Sequence, residues 1–247
     1  MLKKQIKSIQ VEKTKQLVSI SSSRAFYLSL NAKPNSILKL RAVRKAISLA
    51  INQQGMLTNI VQGLGQINTC FSPLLTQKCI NLGNAYNVPQ ARELLSQIKI
   101  PTQLTLLTFK SNKTDHKEVL QALKNMLIRV GIHLLVTETD SKEVWAKSMD
   151  EYDLTFSTWQ TSLMNSVNIY KSLFVDSPIA PYLKPLYAQQ KNINRSDFFI
   201  KLLNKQYIIV LLSVDELWGA DRKYAFNNIF SINSIPYWQE LRLKNKL

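Results

Sequence analysis

The chain has 247 residues, 45% of them hydrophobic and 9% aromatic, so it can form one large domain or two small ones around a substantial core. It contains 6 Gly and 8 Pro and no low-complexity tract or fixed repeat, which argues against solenoid, propeller and linker architectures. Its 32 Lys and Arg against 16 Asp and Glu give a net charge of +16. That charge fits nucleic acid, an anionic membrane surface or an acidic partner, and it fits equally a lysine-rich composition without functional meaning.

The N-terminal segment carries much of the positive charge. Residues 1–45 hold 11 Lys and Arg and a single acid, Glu12. The opening "MLKKQIKSIQVEKTKQ" begins like a signal peptide, but no apolar core segment follows, so we expect the chain as written to be cytoplasmic. The longest apolar run, "YIIVLL" at 207–212, is too short to cross a bilayer; it predicts a buried strand and no membrane insertion.

The first third of the chain predicts two strands and a helix. "TKQLVSIS" and "AFYLSLN" alternate as strands do, with Phe26, Leu28 and Leu30 on one face of the second and Tyr27 and Ser29 on the other. After Pro34, apolar residues recur at helical spacing as far as Gly55. The cations of this predicted helix, which lie mostly off its apolar stripe, are Lys39, Arg41, Arg44 and Lys45.

The middle of the chain predicts alternating helices and strands. "NVPQARELLSQ" is a helix capped by Asn87, and "QLTLLTF" is a strand. "DHKEVLQALKNMLIRVG" is a helix, with Asp115 and Glu118 at capping-box spacing and Gly131 at its end. "IHLLVTE" and "YDLTFSTW" are further strands around the short helix "SKEVWAKSM". This order predicts an α/β lobe with a mixed sheet flanked by helices. Helices near 166–174, 178–190 and 196–206 and a strand from Ile208 to Val214 complete the pattern.

No residue pattern indicates catalysis or a metal site. The "GLG" at 63–65 lacks the rest of a phosphate-binding loop, and no nucleophile elbow is present. We expect His133 to be a hydrogen-bonded strand histidine and His116 to be exposed at its helix start. Cys70 and Cys79 have no zinc-site spacing, and the sequence leaves open whether they are free thiols or a local disulfide. We therefore expect no enzyme, no cofactor and no metal.

Five segments, taken in order, resemble the family 5 extracellular solute-binding proteins, the dipeptide and oligopeptide binders of ABC importers. They are the extended stretch ending at Asn31, the Val-Arg-x-Ala-Ile helix at 43–47, the Ala-Arg-x-Leu-Leu helix at 91–95, the Gly-Ile strand entry at 131–132 and the Tyr-Asp strand ending at Trp159. The resemblance implies a periplasmic-binding-protein-like (type II) lobe without most of the first lobe. It divides the chain into an N-terminal crossover (1–25), a second lobe (26–215) and a C-terminal return segment (216–247). Members of this family are typically periplasmic or extracellular.

The resemblance also implies a ligand site after the Trp159 strand. Trp159 would stack on the ligand, and Gln160, Thr161 and Asn165 would donate or accept hydrogen bonds; a core position for Trp159 is the alternative. Peptide binders carry an aspartate in this loop, whereas residues 160–168 contain no acid. That departure is similar to the solute-binding domain of SgrR-type transcriptional regulators, which sense sugar-phosphate-like solutes.

Two functions from different classes follow from these observations. The first is a non-enzymatic solute-binding domain whose partners are a small polar solute or short peptide, an ABC permease or a separate first lobe, and DNA only through a module not present here. As a member of the family, Arg44 would pair locally while Lys39, Arg41 and Lys45 face water. The alternative is a basic protein that binds nucleic acid or an acidic partner through residues 1–45.

Overall fold

The computed structural model describes most of the chain, and the structural statements below concern that part. The described residues are 8–9, 12–22, 24–67, 85–98, 103–111, 114–148, 150–159, 188, 201–226, 229–230 and 237–244. Within these ranges no helix combines the length and the hydropathy needed to cross a membrane.

Short strands and helices alternate along the described residues. The strands are β1 Lys15–Ile20, β2 Ala25–Leu30, β3 Gly65–Gln66, β4 Gln103–Phe109, β5 His133–Thr139, β6 Leu154–Trp159, β7 Ile208–Val214, β8 Glu216–Asp221, β9 Tyr224–Ala225 and β10 Arg242–Leu243. The helices are α1 Arg41–Ala50, α2 Gln53–Asn59, α3 Val88–Ser96, α4 Thr114–Ile128 and α5 Lys142–Ser148, with 3-10 turns at Ile37–Lys39 and Trp238–Glu240. The predicted strands and helices in these ranges are confirmed, except for the helix predicted from Leu40 to Gly55.

Six strands form one mixed sheet in the order β3-β7-β2-β6-β4-β5. β4 runs parallel to both β5 and β6, whereas β2 is antiparallel to β6 and to β7. The helix α4 connects β4 to β5, and α5 leads from β5 back to β6 on the other side of β4. The predicted α/β class with a mixed sheet is therefore confirmed.

The core lies between one face of this sheet and the helices. Phe26, Leu28 and Leu30 belong to it, together with Ile47 of α1 and Leu123 of α4. The opposite face of β2 is also buried, since Tyr27 is 6% exposed and Ser29 fully covered. Every residue of β2 and β7 is buried, which is the pattern of central strands in a sheet covered on both faces.

The predicted helix from Leu40 to Gly55 is in fact two helices. α1 ends at Ala50, and α2 begins at Gln53 with Asn52 as its N-cap. The Gly55 amide donates to the Asn52 side chain at 2.7 Å. The sequence prediction missed the break because the apolar spacing continues through it, while a single polar residue supplies the cap.

Asp115 does not cap α4 in the way that the capping-box spacing predicted. The helix begins at Thr114, so Asp115 lies inside its first turn. The Asp115 carboxylate accepts hydrogen bonds from its neighbour's amide and from a distant arginine, Arg24. The predicted end is correct, because Gly131 adopts the positive φ of 84° that a C-terminal cap requires.

Outside the six-stranded sheet, β1 and β8 pair as a two-stranded antiparallel ribbon. We call these two strands the ribbon. β1 lies in the predicted N-terminal crossover, before the boundary at 25/26, and β8 lies in the predicted C-terminal return segment, after the boundary at 215/216. Both boundaries stay predictions. The predicted helices at 166–174 and 178–190 lie outside the described residues, apart from residue 188. Of the helix predicted at 196–206, Lys201–Asn204 is described and helical.

Candidate functional site

One edge of the six-stranded sheet gathers the carboxyl ends of β4, β5, β6 and β7. These four strands run in the same direction, and β2 begins at the same edge because it is antiparallel to β6 and β7. In open α/β sheets, ligands bind in the crevice outside the carboxyl ends of the strands. This edge is therefore the place where the fold offers a binding site.

Trp159 lies at this edge. It is the last residue of β6 and is the cross-strand partner of Ala25, the first residue of β2. Its side chain is half-buried, unlike the fully covered Phe156 in the same strand. Both alternatives for Trp159, stacking on a ligand and packing in the core, stay predictions.

The other predicted ligand residues cannot be compared with the structure. Gln160, Thr161 and Asn165 lie outside the described residues, as do Cys70 and Cys79. Their roles stay predictions.

Arg24 forms a buried ionic cluster at the same edge, directly before β2. Its Nη2 donates to Asp115 Oδ2 at 2.7 Å, and its Nε donates to Glu216 Oε1 at 2.9 Å. Arg24 is 6% exposed and its guanidinium lies 5.4 Å from the Phe26 ring centroid. We call Arg24, Asp115 and Glu216 the Arg24 clasp. The clasp was not predicted from the sequence, because Asp115 is 91 residues and Glu216 is 192 residues from Arg24 and no local pattern joins them.

His116 is buried, which corrects the expectation that it is exposed, whereas His133 lies in a strand as predicted. His116 is 5% exposed, packs against the rings of Phe26 and Phe156, and has Nε2 3.1 Å from Thr108 Oγ1. His133 is exposed at the start of β5, an edge strand of the sheet. Burial lowers the pKa of His116, although the nearby carboxylates of Asp115 and Glu138 oppose the shift. His116 is therefore a neutral packing residue at neutral pH.

The cations of α1 are the buried Arg44, the half-buried Lys45 and the exposed Arg41. Arg44 is 2% exposed and donates to the carbonyls of Leu38, Lys39 and Lys205 at 2.6–2.9 Å. Its guanidinium also lies 4.1 Å from the ring centroid of Tyr207. Arg41 is exposed, and its Nη2 donates to the Asn204 carbonyl. The expectation that Arg44 pairs locally is confirmed. Because Arg24 and Arg44 are both buried, two of the three arginines in residues 1–45 do not reach an external anion.

A groove runs beside the ribbon. It is a cavity of about 630 Å³ lined by Gln16–Ile20 of β1, by Phe226 and Phe230, and by Lys244. Phe226 and Phe230 stack at 6.1 Å, and Trp218 of β8 approaches both Phe230 and the 56% exposed Trp238. Within the described residues β1 pairs only with β8, so its other edge borders this aromatic groove. The sequence gives no sign of the groove, because its walls come from both ends of the chain.

Comparison with protein families decides where the chain belongs. The model of the middle region of the bacterial extracellular solute-binding proteins, family 5, matches residues 2–180. The chain belongs to this family. The resemblance carried by the five sequence segments is thereby confirmed. A search of curated proteins finds no significant match.

Solved structures of solute-binding proteins share the fold. NikA from Brucella suis, in complex with Fe(III)-EDTA, superposes with a TM-score of 0.77 at 16% identity, over 98% of this chain and 55% of its own. A dipeptide-binding protein from Pseudoalteromonas sp. SM9913, in complex with Met-Leu, gives 0.74 at 11% identity, over 98% and 52%. The oligopeptide-binding protein AppA from Bacillus subtilis, in complex with a nonapeptide, gives 0.71 at 15% identity, over 96% and 54%.

This family 5 chain spans about half the length of the solved structures that it matches. The likeness to them establishes the fold of a type II periplasmic-binding-protein lobe. The carboxyl edge with Trp159 and the aromatic groove of the ribbon are the two surfaces of this lobe that need a functional explanation.

Proposed function

We propose that the chain supplies one wall of the ligand cleft in a two-lobed solute-binding protein and binds a small polar solute or short peptide by reversible closure. One observation carries the proposal: the half-buried Trp159 ends β6 at the edge where β4, β5 and β7 also end. Sheets of this kind bind ligands at that edge, and clefts bury most of a ligand's surface. Family membership supports the same function.

In this proposal Trp159 supplies an aromatic face, and Gln160, Thr161 and Asn165 supply directional hydrogen bonds. The support for the three polar residues is the sequence itself, a polar loop that follows an apolar strand. The loop from 160 to 168 contains no acid, so a ligand ammonium would find hydrogen bonds but no opposite charge there. The three solved relatives named above hold a dipeptide, a nonapeptide and Fe(III)-EDTA, and a short peptide is our first choice of solute.

We further propose that the other half of the clamp packs on the ribbon groove. Within the described residues the outer edge of β1 has no partner strand and borders the aromatic groove, and stable proteins usually cover such a surface. The solved relatives contain nearly as much chain again as this one. As an importer subunit, the complete protein would deliver solute to an ABC permease outside the cytoplasm. As an SgrR-type regulator it would act inside, and cell fractionation distinguishes the two.

The proposed role is binding without covalent chemistry. Among the described residues, the contact that most resembles a catalytic pair is the one between Thr108 and His116. Thr108 is fully covered and His116 nearly so, so a substrate does not reach either. A nucleophile and its base must lie within reach of the reacting atom, and this pair is inside the core.

Thermal unfolding of the chain with and without dipeptides, longer peptides and sugar phosphates tests the proposal. A solute that binds the folded chain raises the unfolding temperature in proportion to the logarithm of its concentration. We expect one solute class to do so, and we expect Trp159→Ala to abolish the shift. Titration calorimetry with that solute then gives the affinity directly.

Trp238→Ala is the matched control, because Trp238 is 56% exposed and lies by the ribbon rather than at the carboxyl edge. Equal ligand shifts in Trp159→Ala and the unmodified chain would contradict the proposed site. A chain unmoved by every solute would contradict a working half-cleft. Binding of duplex DNA that weakens steeply with salt would instead support the basic-protein alternative.

A further inference from the structure

The ribbon and the six-stranded sheet are joined by two covalent connections. The first runs from Ile20 of β1 to Ala25 of β2, and the second is Asp215, between β7 and β8. The two connections lie side by side: the Val214 amide donates to the Arg24 carbonyl at 3.0 Å, and Ser22 Oγ donates to the Val214 carbonyl at 2.8 Å. The orientation of the ribbon relative to the sheet therefore depends on this narrow neck.

Arg24 bonds to three parts of the molecule at this neck. Its backbone belongs to the first connection, its Nε reaches Glu216 directly after the second, and its Nη2 reaches Asp115 in the first turn of α4. One planar guanidinium thus ties the ribbon to a helix of the lobe. A lysine could not do the same, because an ammonium lacks the fixed fork of donors that meets two carboxylates at set angles.

The hydrogen bonding of the clasp indicates that it fixes the positions of the groups that it joins rather than adding to the stability of the fold. Arg24 Nη1 is buried and has no hydrogen-bond partner in the described part of the chain, which leaves two N–H donors unused. Buried ion pairs of this kind often contribute no more to stability than apolar residues of the same size. What they provide, and apolar contacts do not, is a fixed geometry between the groups that they join.

We propose that Arg24 is a positioning residue that holds both connections against α4 and so sets the orientation of the ribbon relative to the lobe. Breaking the clasp frees the neck. The helix-covered core keeps its structure, because other contacts stabilise it. In a two-lobed protein the same neck would carry the closing motion. This last consequence rests on the proposed function, but the clasp itself does not.

Hydrogen exchange of the full 247-residue chain tests the clasp without any ligand. In Arg24→Gln we expect the amides of Val214 and Asp215 to exchange about tenfold faster, because the Val214 amide bonds across the neck to Arg24 and the adjacent Asp215 amide bonds to Leu64. The exchange rates of amides in β4 and β5 should stay within about twofold of those in the unmodified chain, because separate cooperative units open independently. Arg24→Lys should restore only part of the protection.

Two further variants keep the test decisive. Glu216→Gln retains an oxygen that accepts from Arg24 Nε and removes the charge, so it folds even if Arg24→Gln does not, and we expect about threefold faster exchange at the neck. Asp221→Asn is the matched control, because its pair with Lys223 is long, at 3.9 Å, and exposed. Exchange that rises equally in the neck and in β4 and β5 would make Arg24 an ordinary core stabiliser. Unchanged exchange at Val214 and Asp215 would show that other contacts hold the ribbon, and either result overturns the proposal.

Discussion

The six-stranded sheet and the ribbon are built from strands of similar length but are buried very differently. Every residue of β2 and β7 is buried, whereas β1 and β8 are mostly half-buried and contain three exposed residues and one buried residue, Ala220. The sheet finds its cover within this chain, in α1 and α4. Within the described residues the ribbon has no comparable cover, and an isolated two-stranded ribbon is marginal in water. The difference fits the proposal that the ribbon is one side of an interface.

The largest effect should come from the centre of the lobe. Phe156 is fully buried and stacks on Phe26 at 5.7 Å. We expect Phe156→Ala to lower the free energy of unfolding by about 3–5 kcal/mol, because it removes buried surface and leaves a cavity. Urea denaturation followed by circular dichroism measures this. Phe156→Leu, which keeps most of the apolar volume, should cost about 1–2 kcal/mol. Equal losses in both variants would mean that the lobe core is not closely packed.

A smaller but still large effect should come from Arg44. Arg44→Ala leaves the carbonyls of Leu38, Lys39 and Lys205 without their donor and removes the stacking on Tyr207. We expect a loss of about 2–3 kcal/mol in the same urea experiment. Arg41→Ala, on the exposed side of the same helix, should change stability by less than about 0.5 kcal/mol. Comparable losses in the two variants would contradict the division of the α1 cations into structural and solvated groups.

The next effect depends on pH. Because burial lowers the pKa of His116 in the folded chain, the unfolded chain binds a proton more readily than the folded one. Stability is therefore complete above the ordinary histidine pKa of 6.5 and falls as the pH is lowered below that value. We expect His116→Gln to flatten this fall in urea denaturations between pH 7 and pH 5. A fall that is as steep in His116→Gln as in the unmodified chain would contradict this assignment to His116.

Local sequence patterns predicted most of the strands and helices of the lobe but few of the contacts between them. β2, α4 and β6 have clear periodicity, so the sequence predicts them and their order. The break between α1 and α2 depends on one capping residue, Asn52, within a continuous apolar spacing. The environments of His116 and His133 depend on which face of α4 packs against Phe26 and on β5 being an edge strand, and neither is a local property.

The candidate site divides in the same way. Trp159 is a candidate site residue from sequence alone because it ends an apolar strand before a polar loop, and that role stays a prediction. The clasp and the groove could not, because each joins residues from distant parts of the chain. Arg24 reaches Glu216 because β2 pairs with β7 beside it, and Gln16 and Phe226 line one cavity although 210 residues separate them. Single-sequence patterns do not register pairings of such high sequence separation.

The smallest effect on the chain alone should come from the ribbon. Leu17 is half-buried in β1 and already borders the cavity of about 630 Å³. Truncation there removes few contacts, so we expect Leu17→Ala to lower the free energy of unfolding by less than about 1 kcal/mol. Urea denaturation beside Phe156→Ala measures the contrast. A loss from Leu17→Ala as large as that from Phe156→Ala would show that the ribbon is packed as tightly as the lobe. The expected small loss would instead mean that Leu17 contributes little to this chain's own stability, as a residue does when its surface serves to receive a partner.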